Sequence, residues 1–232
     1  MLRLERCLIA NGGFRLGADF AVRKGRIVAV LGPSGEGKTT LLEGIAGFLP
    51  IIRGALTWAG ETITATEPGK RPVAMLFQEG NLFAHLTAAQ NVGLGLRPAL
   101  RLTRDEQAEV AAALARVGLE GLGARKPAAL SGGQRARVAL ARLLVQRREI
   151  FLLDEPFGAL GPALKAEMLR LVADLARESG ATVLMVSHDP QDAAQVADEV
   201  IVVAEGIAHT PVATAELFKD PPEALRAYLG GG

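Results

Sequence analysis

Apolar residues in the first part of the chain follow two different periods. From Phe14 to Val22 every second residue is apolar, which is the period of a β-strand with one buried face. From Ile27 to Leu31 the apolar run is short and unbroken, as in a strand that is buried on both faces. This pattern predicts an antiparallel β region near the N-terminus, followed by a core strand.

Further candidates for buried strands occur later in the chain. They are short, rich in aliphatic residues and separated by helical segments: Val73–Phe77, Ile150–Asp154, Thr182–Ser187 and Val200–Val203. Parallel strands covered by helices on both faces have this appearance. The predicted fold class is therefore α/β, with a mostly parallel sheet.

Between residues 86 and 145 the period of the apolar positions becomes helical. Thr103 and Glu106 have the spacing of a capping box, and Gly118 supplies a stop signal after the apolar face that follows. We therefore expect a single domain over residues 1–232. Its core is formed by 1–84 and 147–232, and a helical subdomain at about 85–146 is inserted into that core.

Composition and charge argue against several classes of protein. The 232 residues carry 26 basic and 25 acidic side chains, a formal net charge of +1, and no basic stretch indicates a nucleic acid partner. Cys7 is the only cysteine, which favours a reducing compartment. The sequence has no run of about 18 apolar residues and no signal-peptide core. We expect a cytoplasmic protein that meets a membrane only through partners.

A glycine-rich segment lies between the strand Ile27–Leu31 and a predicted helix. It reads Gly32-Pro33-Ser34-Gly35-Glu36-Gly37-Lys38-Thr39 and matches G-x-x-x-x-G-K-[ST] in the required strand–loop–helix context. Glycines let backbone N–H groups approach phosphate oxygens, and the helix N-terminus favours negative charge. Lys38 would neutralise phosphate, Thr39 would ligate Mg²⁺, and Thr40 completes the predicted nucleotide site. The alternative is a glycine-rich turn with an exposed lysine.

A second candidate phosphate site lies at Leu130-Ser131-Gly132-Gly133-Gln134, before another helical run. Ser131 and Gln134 have capping-box spacing, so a well-capped helix is one interpretation. Two glycines in a first turn cost roughly 1 kcal/mol each but expose N–H groups to an anion. Because the first loop already accommodates one triphosphate, the helix N-terminus at this second site is most simply explained as binding the nucleotide of a partner subunit. Two copies arranged head to tail, a homodimer, satisfy both sites.

These motifs, in this order, resemble the ATP-binding cassette family over nearly the whole chain, because LSGGQ is that family's signature. The resemblance implies a P-loop NTPase core, an N-terminal antiparallel β subdomain and an inserted helical subdomain that carries the signature. It also implies that the chain is an ATPase with ATP and Mg²⁺ as cofactors.

The resemblance also implies roles for residues that follow the predicted core strands. Gln78 follows Val73–Phe77, where the family has a glutamine that contacts Mg²⁺ and the attacking water. Asp154 would lie beside Mg²⁺, and Glu155 would accept a proton from water. His188 matches the histidine that the γ-phosphate positions.

Two positions depart from the family pattern. Asn11 stands about where the family has an aromatic residue that stacks on adenine, and Phe14 nearby fits the alternating strand better. Gly161 stands where the family has an aspartate in a loop that crosses between subunits. Weakened nucleobase discrimination and altered coupling between subunits are the corresponding hypotheses.

The segment Arg71–Leu96 resembles the thiamine-importing branch of the family. This implies a motor subunit peripheral to the cytoplasmic face of the inner membrane, an integral membrane permease and a periplasmic substrate-binding protein. Phe83 and Leu86 are candidates for contact with the permease or, equally, for subdomain core. The alternatives are an importer ATPase for iron, polyamine or an oxyanion, a soluble P-loop phosphotransferase, and a cassette protein that acts on DNA or ribosomes.

Overall fold

The computed structural model describes residues 1–77 and 81–219. Within these residues it contains eleven strands, seven α-helices and two short 3₁₀ helices, Pro68–Lys70 and Pro127–Ala129. The strands are β1 (Leu2–Asn11), β2 (Phe14–Val22), β3 (Ile27–Leu31), β4 (Ile51–Trp58), β5 (Glu61–Thr62), β6 (Val73–Leu76), β7 (Ile150–Asp154), β8 (Thr182–Val186), β9 (Glu199–Ala204), β10 (Ile207–Ala208) and β11 (Val212–Ala213). The helices are α1 (Lys38–Ala46), α2 (Ala88–Gly93), α3 (Arg104–Arg116), α4 (Gly132–Val145), α5 (Pro162–Ser179), α6 (Pro190–Val196) and α7 (Thr214–Leu217).

The sheet has a parallel part and an antiparallel part. Strands β9, β3, β8, β7 and β6 are neighbours in that order and run parallel. Strands β5, β4, β1 and β2 pair antiparallel, and β10 joins the two parts by pairing with β2 and β9. The predicted α/β class with a mostly parallel core and an antiparallel N-terminal region is confirmed.

The parallel strands are buried on both faces, as their unbroken apolar runs predict. In β7, Phe151 and Leu153 belong to a core with residues of α4 and α5. The alternate residues Ile150 and Leu152 belong to a second core with residues of α1 and the antiparallel strands. Helices and antiparallel strands therefore enclose the sheet that carries the site.

Strands β1 and β4 were not identified individually from the sequence, because a bulge breaks the alternation of their buried residues. Leu2 and Leu4 are buried before the bulge, whereas Cys7 and Ile9 are buried after it, so the phase changes by one residue. Gly54 in β4 has φ 86, and a Cβ there would lie 2.4 Å from the carbonyl oxygen of Glu5. A glycine is therefore needed where the two strands approach.

Strands β3 and β7 have their predicted bounds, whereas the ends of other predicted core elements differ from the structure by one residue. Strand β6 ends at Leu76 and β8 at Val186, earlier than predicted, and α1 begins at Lys38. Strand β8 ends there because its last ladder partner is Asp154, the last residue of β7. Among the described residues, no helix combines the length and the hydropathy that a bilayer crossing requires.

The buried guanidinium of Arg71 ties the phosphate-loop helix to the rest of the core. It donates to the carbonyl oxygens of Gly44 at 2.9 Å and Ile45 at 2.8 Å, at the C-terminal end of α1. It also donates to those of Thr64 and Thr66, both at 2.8 Å. Burial lowers the pKa of Arg71. One side chain therefore donates to four carbonyl oxygens, and the two in α1 lie at a helix end that favours a cation. The carbonyl oxygen of Gly44 also accepts from the backbone N–H of Gly47 at 3.3 Å.

We expect Arg71→Met to lower the free energy of unfolding by about 3 kcal/mol, since a buried carbonyl left without its donor costs about 1–3 kcal/mol. Urea denaturation measures this change. Its neighbour Lys70 forms an exposed ion pair with Glu67, so Lys70→Met should change stability by less than about 0.5 kcal/mol. Equal effects of the two substitutions would contradict the proposed role of Arg71.

Candidate functional site

The predicted site residues meet at one edge of the parallel sheet. Strand β8 lies between β3 and β7, so the carboxyl ends of all three strands are adjacent. The loop after β3, Glu155 after β7 and His188 after β8 lie at this edge, where α/β sheets place their ligands. They line a cavity of about 300 Å³ whose described lining residues are Ser34, Gly35, Gly37, Lys38, Thr39, Thr40, Glu155 and His188.

The glycine-rich loop depends on its glycines at two close contacts. Gly32 has φ 149, and a Cβ there would lie 2.0 Å from the carbonyl oxygen of Val203 in β9. Gly37 has φ 105, and a Cβ there would lie 2.8 Å from the ring of Phe14. Gly37 is also the N-cap of α1 and offers no side-chain hydrogen bond to the first turn. The backbone N–H groups of that turn therefore point toward the loop and suit an anion.

Lys38 is held inside the loop rather than exposed. Only 5% of the residue is accessible, and its Nζ donates to the carbonyl oxygens of Gly32 at 2.8 Å and Pro33 at 2.7 Å. Burial lowers the pKa of Lys38, and the nearby carboxylates of Glu155 and Asp154 oppose this only in part. The turn with an exposed lysine is thus excluded as an interpretation of this segment.

Thr39 and Asp154 form the site's candidate metal ligands. The Thr39 hydroxyl donates to Asp154 Oδ1 at 3.2 Å across the sheet edge. Burial raises the pKa of Asp154, while the bond from Thr39 and the charge of Lys38 lower it in part. Mg²⁺ prefers oxygen ligands and usually takes one or two carboxylates, with phosphate and water completing the shell. These two residues fit that pattern, and Gln78, the third predicted ligand, lies outside the described residues.

Glu155 and His188 are in direct contact. Glu155 has φ 46, and its backbone N–H donates to the carbonyl oxygen of Val186 at 3.2 Å. Its carboxylate pairs with His188 Nε2, and the Glu155 side chain is 15% exposed whereas that of His188 is 48% exposed. The predicted base and the histidine predicted to be positioned by the γ-phosphate are thus neighbours, and both line the same cavity.

The signature segment is a capped helix start, as predicted, but it does not line this cavity. Ser131 Oγ accepts from the backbone N–H of Gln134 at 3.2 Å, and Gln134 Oε1 accepts from that of Ser131 at 3.0 Å. A Cβ on Gly133 would lie 2.6 Å from Leu164 Cδ2 of α5, so helix packing explains this glycine. Of the two glycines whose cost to the helix indicated an anion ligand, only Gly132 is therefore left without a packing explanation.

The two departures from the family pattern lie close to the site. Asn11 ends β1, and its Nδ2 is 3.4 Å from the hydroxyl oxygen of Thr40 in α1. Phe14 is half-buried and packs on the second core, as its place in the alternating strand indicated. Gly161 is the N-cap of α5 and makes no side-chain hydrogen bond there. A Cβ at Gly161 meets nothing within 4 Å, so the chain has room for the aspartate that it lacks.

A strand–loop–helix phosphate cradle at the edge of a parallel sheet defines a P-loop nucleotide-binding protein. The model of the family described as ABC transporter matches residues 16–158. The chain belongs to the ABC transporter family.

Curated relatives match over nearly the whole chain. The chain is 59% identical over 230 residues to the thiamine import ATP-binding protein ThiQ of Ruegeria sp. (strain TM1040), a match that covers 99% of this chain and 100% of the relative. It is 58% identical over 230 residues to the ThiQ of Cereibacter sphaeroides, with 99% and 100% covered. It is 56% identical over 188 residues to the ThiQ of Escherichia coli O157:H7, with 81% of each chain covered.

A solved structure shares the fold. It is the dimeric, post-hydrolysis state of the ATP-binding cassette MJ0796 bound to ADP and Pi, with a TM-score of 0.78 and 26% sequence identity. The match covers 92% of this chain and 99% of that chain.

We expect Asp154→Asn to raise the melting temperature of the nucleotide-free protein at neutral pH. Because burial raises the pKa of Asp154 in the folded state, the ionised carboxylate destabilises the fold once the pH exceeds its unfolded pKa of about 3.9. Asparagine keeps an acceptor for Thr39 without the charge. The gain should therefore be largest near pH 7 and vanish toward pH 4.

Circular dichroism melts between pH 4 and pH 8 measure this difference. Asp174→Asn, at an exposed aspartate of α5, serves as the control, and at pH 7 it should melt at the temperature of the original chain. A lower melting temperature of Asp154→Asn at pH 7 would contradict the account of Asp154.

Proposed function

We propose that this chain is the ATP-hydrolysing subunit of a bacterial thiamine importer. The observation that carries the ATPase part is the meeting of Lys38, Thr39, Asp154, Glu155 and His188 at one sheet edge. The cargo is supported by relatives named thiamine import ATP-binding proteins, 58% and 59% identical over 99% of the chain. The site residues are assigned to the nucleotide alone. They carry no information on the cargo, because a transport ATPase need not touch it.

Binding of ATP is assigned to the loop and the first turn of α1. Backbone N–H groups within Gly32–Thr40, other than at Pro33, which has none, would surround the β- and γ-phosphates. Lys38 would turn its ammonium from loop carbonyls toward phosphate oxygens. Thr39, Asp154 and Gln78 would hold Mg²⁺. When Mg²⁺ is bound, it neutralises part of the phosphate charge.

Hydrolysis is assigned to the pair at the end of β7 and β8. Glu155 would accept the proton of the attacking water, and its restricted backbone and mostly buried carboxylate fix the position of that oxygen. His188 would donate to the transferred phosphate and hold Glu155 in place. Gln78 would orient the water.

We assign the signature segment to the ATP of a second copy of the chain. Ser131–Gln134 begins a capped helix that lies outside the described lining of the phosphate cavity of its own chain. A head-to-tail homodimer would bring this helix start to the partner's nucleotide. The dimeric state of the related cassette MJ0796 supports this arrangement.

Transport requires a permease, and the boundary between the core and the helical subdomain offers a contact surface for it. We divide the chain as the sequence suggested, into a core of 1–84 and 147–232 and a helical subdomain at about 85–146.

Phe83 is 50% exposed, and its backbone N–H donates to Asn91 Oδ1 at 2.8 Å, which fixes its position. Phe83 with Leu86 would dock the integral membrane permease, placing the chain at the cytoplasmic face of the inner membrane. A periplasmic binding protein would supply cargo.

Glu155→Gln should bind ATP as tightly as the original chain and hydrolyse it about 10²–10⁴ times more slowly, because general-base assistance has that magnitude. Steady-state hydrolysis and equilibrium binding measure the two effects. The exposed Glu120→Gln is the matched control and should hydrolyse at the original rate. Turnover by Glu155→Gln near that rate would exclude Glu155 as the base.

Labelled thiamine uptake tests the cargo. The host is a strain of the source organism from which this gene and the genes of other thiamine carriers are deleted. The intact gene should restore uptake in this strain, whereas the Lys38→Ala variant at an equal protein level should not. Lys70→Ala, at an exposed lysine, should restore uptake fully. Failure of the intact gene to restore thiamine uptake would contradict thiamine as the cargo.

A further inference from the structure

A polar network joins the start of α5 to the loop that carries His188. Lys165 Nζ, in the first turns of α5, donates to Asp192 Oδ2 at 2.8 Å and to Asp189 Oδ2 at 3.2 Å. Burial lowers the pKa of Lys165, but its hydrogen bonds to Asp192 and Asp189 outweigh this and leave the pKa above the ordinary value. One ammonium thus connects two elements that are remote in sequence.

The same network holds the backbone on both sides of His188. The Ser187 hydroxyl donates to Asp192 Oδ2, and the backbone N–H of Asp189 donates to Ser187 Oγ at 3.0 Å. Asp189 also caps α6, because its Oδ1 accepts from the backbone N–H of Gln191 at 2.9 Å. His188 is therefore the exposed middle residue of a three-residue loop whose flanking residues are fixed.

Asp192 is the centre of this network. Only 6% of Asp192 and 6% of Ser187 are accessible, although both are polar. A buried carboxylate is stable only when it is paired and hydrogen-bonded, and Lys165 with Ser187 meets both needs. Burying this polar network costs more free energy than burying an apolar contact between α5 and α6. We therefore attribute the network to a requirement for fixed geometry in the loop that it holds.

The network shares a second cavity with the residues of the proposed reaction. Glu155 and His188 line this cavity of about 230 Å³ together with Lys165 and Asp192. Lys165 also lies in the first turn of the helix that Gly161 caps, and its backbone N–H donates to the carbonyl oxygen of Gly161 at 2.9 Å. A shift of α5 at Gly161 would therefore be transmitted to the loop of His188.

We propose that Lys165 and Asp192 are positioning residues for ATP hydrolysis, which fix the Ser187–Asp189 backbone and so hold the His188 imidazole against Glu155. This inference rests on the proposed ATPase function. Neither residue touches the phosphate cavity, so their removal should slow the chemical step without weakening nucleotide binding. A pair that only joined α5 to α6 would affect stability alone.

The kinetic test compares Lys165→Met, Lys165→Arg and Asp192→Asn in the full-length chain at saturating Mg²⁺ and ATP. Misplacement of a catalytic group by about 1 Å costs on the order of 100-fold in rate, so we expect kcat to fall about 10-fold to 100-fold in Lys165→Met and Asp192→Asn. KM and the Kd for ATP should change less than about twofold. Lys165→Arg keeps a cationic donor and should recover most of the rate.

A matched control and a double variant separate positioning from folding. Lys24 pairs with Glu149 at the opposite edge of the sheet, so Lys24→Met should leave kcat unchanged. Lys165→Met leaves the Asp192 carboxylate without its cation and can unfold the chain. The double variant Lys165→Met with Asp192→Asn removes both charges and keeps an acceptor for Ser187. It should fold and still lose kcat.

A spectroscopic readout tests the position of His188 without any turnover. The chain has three histidines, His85, His188 and His209, so the imidazole ¹H–¹³C signals can be assigned by single substitutions. In nucleotide-free protein, Lys165→Met and the double variant should shift the His188 signal and leave the other two in place. Lys24→Met should shift none of them.

Unchanged kcat and an unchanged His188 signal in folded Lys165→Met and in the double variant would overturn the inference. A fall in kcat that Lys165→Arg shares, and that follows the melting temperature across all variants, would also overturn it. An original chain that binds but does not hydrolyse ATP would contradict the proposed function instead. The His188 signal would still decide whether the network positions the imidazole.

Discussion

The parallel pairing of β8 with β3 on one side and β7 on the other is the constraint on which the site depends. Val186 pairs with Val30 of β3 and with Asp154 of β7. Strands β7 and β8 end in this row, and β3 ends one residue beyond it, at Leu31. The phosphate loop, Glu155 and His188 all follow within two residues of that row. Both faces of the parallel strands are packed. A shift of one residue in the pairing of a strand would move each of its side chains from one core to the other, so burial fixes the register.

Three buried charges lie near this row, and a fourth, Arg71, precedes the amino end of β6; each has different partners. Loop carbonyls hold Lys38, a hydroxyl from α1 contacts Asp154, helix-end carbonyls surround Arg71, and an ammonium pairs with Asp192. Such groups weaken a fold unless their partners are well placed. Burial displaces the pKa of Asp154 and that of Lys38. In the proposed nucleotide site, a phosphate group would offset the cost of burying the Lys38 ammonium, and Mg²⁺ would offset the cost of burying the Asp154 carboxylate.

Sequence patterns predicted the local parts of this arrangement well. The strand Ile150–Asp154 has its predicted bounds, and the capping box of Ser131 and Gln134 is present. The strands β1 and β4 were missed because a bulge changes the phase of burial, which a period of two cannot detect. Arg71 and the Lys165 network were missed because their partners are distant in sequence. The catalytic and metal-binding roles remain predictions, and Gln78 lies outside the described residues.

The central claim is that the helix start at Ser131 acts on the ATP held by the phosphate loop of a second copy. Ser34 and Ser131 are both exposed, so copies with Ser34→Cys can be mixed with copies carrying Ser131→Cys, both in a Cys7→Ser background. A short bismaleimide then tests whether the two positions meet. The account predicts a covalent dimer with Mg²⁺ and ATP and a monomer without nucleotide. Monomers alone at saturating Mg²⁺ and ATP would contradict it.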